Sequence, residues 1–131
     1  MKKLIIISIF TLVIVCAGII ESVKSTNVFN QIDTYTQTVC ELLENKDEIK
    51  ENTLKIETEI SKIENTWSQF RNVALSFSNH NTIMNFTEKL VSIKRQFNAG
   101  LYEDAYVSAA IANHIAKHLA IENGVNPLNL F

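Results

Sequence analysis

The sequence predicts an all-α protein, in which an N-terminal transmembrane helix is followed by a small antiparallel bundle of three or four helices. The 131 residues include only 3 Gly and 1 Pro, which are too few for a β-protein with a turn roughly every 8 to 12 residues. Apolar residues recur at alternating spacings of three and four along most of the chain, as they do on one face of an α-helix. The first residues form a nearly uninterrupted apolar run instead.

This apolar run covers residues 4–20, follows two lysines and ends before Glu21. A helix from Lys3 to about Val23 would cross a hydrocarbon core of about 30 Å. Lysines at the start of a membrane helix stay in the cytoplasm, so the C-terminal part of a single-pass protein of this kind is expected outside the cell membrane.

Residues 1–24 are therefore predicted to be a membrane anchor, and residues 25–131 an extracytoplasmic helical domain. A cleaved signal is the alternative, because Val15, Cys16 and Ala17 resemble a signal cleavage site, and the domain would then be secreted. An uncleaved anchor is favoured, because apolar residues continue beyond that site and neither Pro nor a polar segment precedes it.

The predicted domain is acidic and poor in cysteine. Three of the 12 basic residues and one of the 14 acidic ones precede residue 25, so 9 basic and 13 acidic residues remain. This balance, without a basic block, argues against nucleic acid as a partner. Cys16 lies in the apolar run and Cys40 stands alone, so no intrachain disulfide framework is predicted. Cys40 is expected to be a small buried residue, although it could join two copies covalently.

Two amphipathic stripes follow the anchor. No Gly or Pro stands between Ser22 and Asn27, so the first soluble helix is expected to continue from the membrane segment. Polar residues 45–47 separate the stripes and predict a turn. The stripes share a heptad phase, however, so one long helix is an alternative to a hairpin. The first stripe is Val28, Ile32, Tyr35, Val39 and Leu42, and the second is Ile49, Ile56, Ile60, Ile63, Trp67, Phe70, Ala74 and Phe77.

The last two predicted helices differ in the size of their apolar residues. Gly100 predicts the stop between them, and Gly124 with Pro127 predicts the end of the fourth helix, which is expected over about Tyr102–Asn123. Residues 100–105 resemble the turn of a tetratricopeptide hairpin, but no repeat of about 34 residues supports a repeat array. The third stripe is Ile83, Phe86, Leu90, Ile93 and Phe97, whereas the fourth helix has Ala105, Ser108, Ala109, Ala112, Ala116 and Ala120.

A candidate metal site lies on the fourth predicted helix, where His114, His118 and Glu122 are spaced four residues apart and would project from one face. Two imidazoles and a carboxylate can ligate zinc or another divalent ion, and His80 could approach from the start of the third helix. Hydrolysis is not expected, because the general base of the metalloprotease motif is missing between the histidines. Alternatively, the histidines are exposed near a helix C-terminus, where positive charge is favourable.

These features resemble a family of short, membrane-anchored proteins from Gram-positive bacteria, catalogued as domain of unknown function 4363. Ile49 departs from the family pattern, which has an aromatic residue after the first hairpin turn. The resemblance implies an anchored helical domain without an assigned activity, sometimes encoded beside multi-pass membrane proteins, and hence a membrane partner. It rests on Met1, Lys2 and Lys3 before an Ile-rich run, on a long helix centred on Trp67, on His80 and Gly100, and on the ending Asn129, Leu130 and Phe131.

No catalytic set is apparent in the sequence, which has neither a phosphate-binding Gly loop nor a nucleophile elbow, so the protein is not expected to be an enzyme. Trp67 lies on an apolar stripe and is predicted to be a core residue. The sequence favours an interaction or accessory module that binds a membrane protein or its own copies. The alternatives are an extracytoplasmic metal- or ligand-binding domain that uses His114, His118 and Glu122, and a structural component of the envelope or spore.

Overall fold

The computed structural model describes residues 2–124, which form four α-helices and one short 3-10 turn. Within these residues there is no β-strand, so the all-α prediction is confirmed for the described part of the chain. Met1 and residues 125–131, which include Pro127 and the ending used in the family comparison, lie outside it. The helices are α1 (Lys2–Glu44), α2 (Ile49–Phe77), α3 (His80–Asn98) and α4 (Tyr102–Asn123), with the 3-10 turn at Lys46–Glu48 between α1 and α2.

Helix α1 joins the apolar run and the first soluble helix in one unbroken element. The continuity expected from the absence of Gly and Pro between Ser22 and Asn27 is therefore confirmed. The most apolar stretch of α1 has a mean hydropathy of 2.7, and none of it is buried against other helices. By length and composition this part of α1 could cross a membrane, and a signal sequence would have the same properties.

The chain reverses direction between α1 and α2, so the two stripes form a hairpin and the alternative of one long helix is wrong. The Phe29 ring lies 5.6 Å from the Phe70 ring, and the Lys62 ammonium lies 5.6 Å from the centre of the Tyr35 ring. Residues 45–48 are all exposed, because they offer no apolar side chain that could continue the stripe across this point.

Helices α3 and α4 each pack against the helix before them. The Trp67 Nε1 donates to Thr87 Oγ1 at 3.1 Å, which joins α2 to α3. The Ser108 hydroxyl lies 2.7 Å from the side-chain amide of Gln96, which joins α3 to α4. Helix α3 begins where the Asn79 side chain accepts hydrogen bonds from two backbone N–H groups of its first turn, as a preferred N-cap residue does.

Helix α4 also packs along α1, and its small residues allow close contact. Ala105, Ala109, Ala112 and Ala116 are each 0% exposed. Asn113, although polar, is buried there and donates to the Asp33 carbonyl oxygen at 2.9 Å. The α1–α4 contact therefore combines close helix approach with a buried hydrogen bond.

The packed helices have two ends, named here by their distance from the apolar run. The near end adjoins it and contains Ser22, whose hydroxyl donates to the carbonyl oxygen of Asn123. The far end contains the α1–α2 turn at residues 45–48 and the α3–α4 turn at residues 99–101, and a Lys46–Glu103 ion pair connects α4 to the α1–α2 turn there.

Candidate functional site

A cleft of about 680 Å³ opens at the far end, between the α1–α2 turn and the first two turns of α4. Its size falls within the range of small-molecule and side-chain binding pockets. Its wall therefore comes from residues that are distant in sequence and are brought together only by the two turns. It is lined by Leu43, Glu44, Lys46, Ile49, Gly100, Tyr102, Glu103, Tyr106 and Val107.

The floor and the rim of this far-end cleft differ in exposure. Leu43 and Ile49 are buried at 3% and 2% exposure, whereas Tyr106 and Val107 on the rim are 36% and 53% exposed. Tyrosine rings supply apolar contact area together with a hydroxyl that can hydrogen-bond. The cleft thus suits a large apolar or aromatic group whose polar neighbours remain in water.

Acidic groups surround the cleft and outnumber basic ones. The exposed acidic residues at this end are Glu44, Asp47, Glu48, Glu103 and Asp104, and the lysines beside them are Lys46 and Lys50. The hydrogen bond from the Lys46 ammonium lowers the pKa of the Glu103 carboxyl. Exposed ion pairs contribute little to stability, which leaves both side chains free to exchange partners. A bound segment with a basic residue would be favoured by these charges.

The backbone at Gly100 explains why the first turns of α4 lie beside the cleft. Gly100 has φ +74°, a left-handed conformation that glycine adopts without a steric penalty. The Gly100 N–H donates to the Phe97 carbonyl oxygen at 3.0 Å, and the Leu101 N–H donates to that of Gln96 at 2.9 Å. This Schellman arrangement ends α3 and lets α4 start within one turn, with Tyr102 packed 5.6 Å from the Phe97 ring.

Sequence reasoning did not find this cleft. Tyr102 and Tyr106, at the start of α4, are each 36% exposed and contribute to its wall. A signal was available, because Leu101, Tyr102, Tyr106 and Val107 form a dense apolar group directly after a predicted helix stop. Their convergence with Lys46 could not be seen, because it depends on the hairpin between α1 and α2.

The residues of the predicted metal site lie on the outer face of α4, away from the cleft. His114, His118 and Glu122 are all exposed, and His118 Nε2 lies 3.3 Å from Glu122 Oε1. Within residues 2–124, no group of three or more His, Cys, Asp and Glu side chains is placed to hold a metal ion. The metal site, with zinc or another divalent ion, stays a prediction.

Trp67 and His80, the other residues singled out from the sequence, lie toward the near end. Trp67 is 5% exposed and its ring contacts that of Phe86 at 4.8 Å in an edge-to-face arrangement. His80 is exposed at the first position of α3. Neither contributes to the far-end cleft, so Gly100 is the one residue of this group that lines it.

Cys40 packs on the core side of α1 and is half-buried. Burial raises the pKa of its thiol to about 11, and the negative charges of Glu41 and Glu44 act in the same direction. Because the thiolate is the reactive form of cysteine, Cys40 is a poor nucleophile at neutral pH.

Comparisons of the chain with protein-family models, with curated proteins and with solved structures found no match. The resemblance to domain of unknown function 4363 therefore stays a prediction.

Proposed function

We propose that the protein is a membrane-anchored interaction module that holds its far-end cleft outside the cytoplasm to bind a segment of a membrane or envelope protein. The observation that carries the proposal is the continuity of α1 from Lys2 to Glu44. The apolar run and one wall of the cleft belong to the same helix, so anchoring one positions the other.

The length of α1 sets the height of the cleft above the membrane. At a rise of about 1.5 Å per residue, the stretch from Val23 to Glu44 covers about 30 Å. A partner must therefore present its bound segment at this height, as a domain or long loop of a membrane protein would. In a second copy anchored in parallel, it is the cleft that lies at this height, and not a free segment that could enter a cleft. A different protein is therefore the simpler partner.

An antiparallel bundle with a tetratricopeptide-like hairpin at Gly100 is part of the same proposal. It is supported by pairs of contacts whose residue numbers rise along one helix and fall along the next. Along α1 and α4 these pairs are Ser22 with Asn123, Asp33 with Asn113 and Lys46 with Glu103.

The chemistry of the cleft defines the class of segment that fits. Its floor of Leu43 and Ile49 takes a large apolar side chain, and the tyrosines of its rim can hydrogen-bond to a backbone. The acidic groups at the far end favour a basic residue next to that apolar anchor. The proposed occupant is therefore an exposed peptide segment with adjacent apolar and basic residues.

Site-specific photo-crosslinking in native host cells tests the binding site. Benzoylphenylalanine at Tyr106, on the rim of the cleft, is expected to give a discrete covalent adduct with one partner. The same probe at Val91, which is 58% exposed on α3 and does not line the cleft, is the matched control. Equal crosslinking from both positions, or none from Tyr106, would overturn the assignment of the cleft.

Cysteine labelling tests the anchor and its direction separately. In a Cys16→Ala, Cys40→Ala background, Leu101→Cys places an exposed thiol at the far end. A membrane-impermeant maleimide is expected to label it on intact cells, and the mature chain is expected to retain its first residues by mass spectrometry. Labelling only after permeabilisation would reverse the proposed direction, and a shortened chain would show that the apolar run is a cleaved signal.

Metal binding is the second candidate, because His118 and Glu122 are already in contact on a face that also contains His114. Titration calorimetry of the full chain in detergent with zinc tests this metal site. Micromolar binding that is lost in His118→Ala and kept in His80→Ala would favour the metal site. No heat above dilution would remove it without affecting the cleft.

A further inference from the structure

The near end exposes apolar side chains from three different helices. Val23 of α1 is 48% exposed, Val73 and Phe77 of α2 are each 40% exposed, and Ile121 of α4 is 75% exposed. They come from three helices, so no single helix face contains all of them. A partner helix would need a continuous apolar face to pack against. Side chains distributed over three helices are better suited to contact a broad apolar surface that lies across the end of the domain.

The height of Ile121 relative to the apolar run follows from one hydrogen bond. The Ser22 hydroxyl donates to the carbonyl oxygen of Asn123, which brings the last turn of α4 level with the end of the apolar run. Ile121 lies half a turn earlier in α4, so it is within a few ångströms of the same height.

The height of Phe77 follows from the aromatic contacts between α1 and α2. Phe70 packs against Phe29 with ring centres 5.6 Å apart. Phe77 lies about two turns, or roughly 10 Å, beyond Phe70, and Ser22 lies the same distance from Phe29 in the opposite chain direction. Because α1 and α2 are antiparallel, Phe77 is level with Ser22.

Val73 completes this set, since it lines a shallow groove together with Glu21, Lys24 and Val28 of α1. The exposed apolar side chains therefore lie where the apolar run meets the packed helices. No break in α1 separates the apolar run from the packed helices, so the near end follows the apolar run without a hinge.

We propose that the near end is inserted in the interfacial region of the lipid bilayer, where Val73, Phe77 and Ile121 contact headgroups and upper acyl chains. This inference rests on the proposed function, because it requires a retained anchor. It adds a second contact with lipid, made by the folded domain itself, which fixes the tilt of the domain and the height of its cleft.

Charge indicates which lipids take part. Lys24 and Arg71 on this side of the domain are accompanied by the acidic Glu21 and Glu122, so the described residues of the near end do not form a cluster of several basic groups. Attraction to anionic headgroups needs several clustered basic residues. The contact is therefore apolar, and it is expected in zwitterionic phosphatidylcholine, which has no net charge, as well as in anionic membranes.

Fluorescence quenching by brominated lipids tests the insertion with the full chain in phosphatidylcholine vesicles. The bromine atoms are placed on the upper part of the acyl chain. Single tryptophans are introduced in a Trp67→Phe background at Phe77 or Ile121 for the near end, and at Leu101 for the far end. Phe10→Trp, in the apolar run, reports whether the anchor itself is inserted.

The expected result is strong quenching of Phe10→Trp, and quenching of Phe77→Trp and Ile121→Trp several-fold greater than that of Leu101→Trp. If Phe10→Trp is quenched while the near-end probes resemble Leu101→Trp, the inference is overturned and the anchor stands. If Phe10→Trp is not quenched, the proposed anchor fails and the inference fails with it.

A second measurement does not depend on replacing the buried Trp67. A nitroxide on Ile121→Cys, in the Cys16→Ala, Cys40→Ala background, reports its accessibility to oxygen and to a water-soluble relaxation agent. Oxygen, which concentrates in lipid, is expected to dominate at Ile121 and the aqueous agent at the matched Leu101→Cys. Equal accessibility profiles at the two positions would contradict the proposal.

Discussion

The near end and the far end of the packed helices are made from the same four helices, yet they are filled differently. At the near end the Phe29 ring, which is 0% exposed, lies within 6.4 Å of the rings of Trp67, Phe70 and Phe86. At the far end a cleft of about 680 Å³ opens between the α1–α2 turn and the start of α4. Both ends expose apolar side chains, but only those of the near end lie beside the apolar run.

This difference suggests that the near end stabilises the fold and that the far end binds a partner. A dense aromatic cluster resists local opening, because its contacts can be lost only together. A cleft between two turns has fewer apolar contacts, and binding surfaces are usually drawn from such less stable regions. We therefore expect the near end, which adjoins the membrane in the proposal, to be rigid. The far end, about 30 Å away from it, is expected to be more adaptable.

The largest expected effect is the loss of Phe29 from the near end. Phe29→Ala is expected to lower the free energy of unfolding by about 3 to 5 kcal/mol, because it leaves a cavity among three aromatic rings. Tyr106→Ala at the far end is the matched control and is expected to cost less than about 1 kcal/mol, because Tyr106 already contacts water.

Urea unfolding of the full chain in detergent, followed by near-ultraviolet circular dichroism, measures both variants. Equal losses in Phe29→Ala and Tyr106→Ala would break the comparison, since they would show that the two ends are equally well packed.

A smaller effect is expected at Asn113, which ties α4 to α1 between the two ends. Asn113 donates to the Asp33 carbonyl oxygen at 2.9 Å and to Thr36 Oγ1 at 3.2 Å. Asn113→Ala is expected to cost about 1 to 2 kcal/mol, because buried hydrogen bonds are lost. The exposed neighbour His114→Ala serves as control and is expected to leave the urea midpoint unchanged. A midpoint of Asn113→Ala equal to that of the wild type would show that the alanine face of α4 alone holds it to α1.

Gly100→Ala addresses the far end alone. Alanine at φ +74° is strained by about 1 kcal/mol, while no atom lies within 4 Å of the added Cβ. We therefore expect a lower melting temperature with an unchanged near-end aromatic signal. Gly18→Ala in the apolar run also meets no atom within 4 Å and, lying in a regular helix, is expected to have no such effect.

The sequence predicted the helices well, because their boundaries depend on local signals. The stop at Gly100, the turn after residue 44 and the small face of α4 follow from glycine conformation, polar interruption and side-chain size. The hairpin between α1 and α2 was left open, because a heptad phase shared by Leu42 and Ile49 is compatible with both arrangements.

The candidate site could not be predicted to the same degree, because it depends on tertiary contacts. Lys46 and Glu103 meet only after α4 has packed along the part of α1 that follows the apolar run. The near-end apolar surface is likewise scattered over Val23, Phe77 and Ile121, and no local pattern connects them. The histidines of α4 could be identified as a candidate site because their spacing of four residues is a local pattern, which can be read from the sequence without knowledge of the tertiary contacts.

The last prediction concerns Cys40, whose reactivity reports how tightly the part of α1 toward the far end is packed. Its thiol has a pKa of about 11 in place of the ordinary 9.0, mainly because of burial. The neutral form is thus favoured by folding, so this group lowers stability only as the pH rises above about 9.

At pH 8 the two-unit shift leaves about a hundredfold less thiolate than in an unperturbed cysteine. A thiolate of higher pKa is also more nucleophilic, so alkylation of Cys40 in the folded full chain in detergent is expected to be roughly tenfold slower than that of the exposed Leu101→Cys thiol. The rate for Cys40 should still rise between pH 9 and 11, where that of Leu101→Cys has levelled off. Equal rates and pH profiles for Cys40 and Leu101→Cys would show that α1 is loosely packed near the cleft. In that case only the aromatic cluster of the near end would be tightly packed.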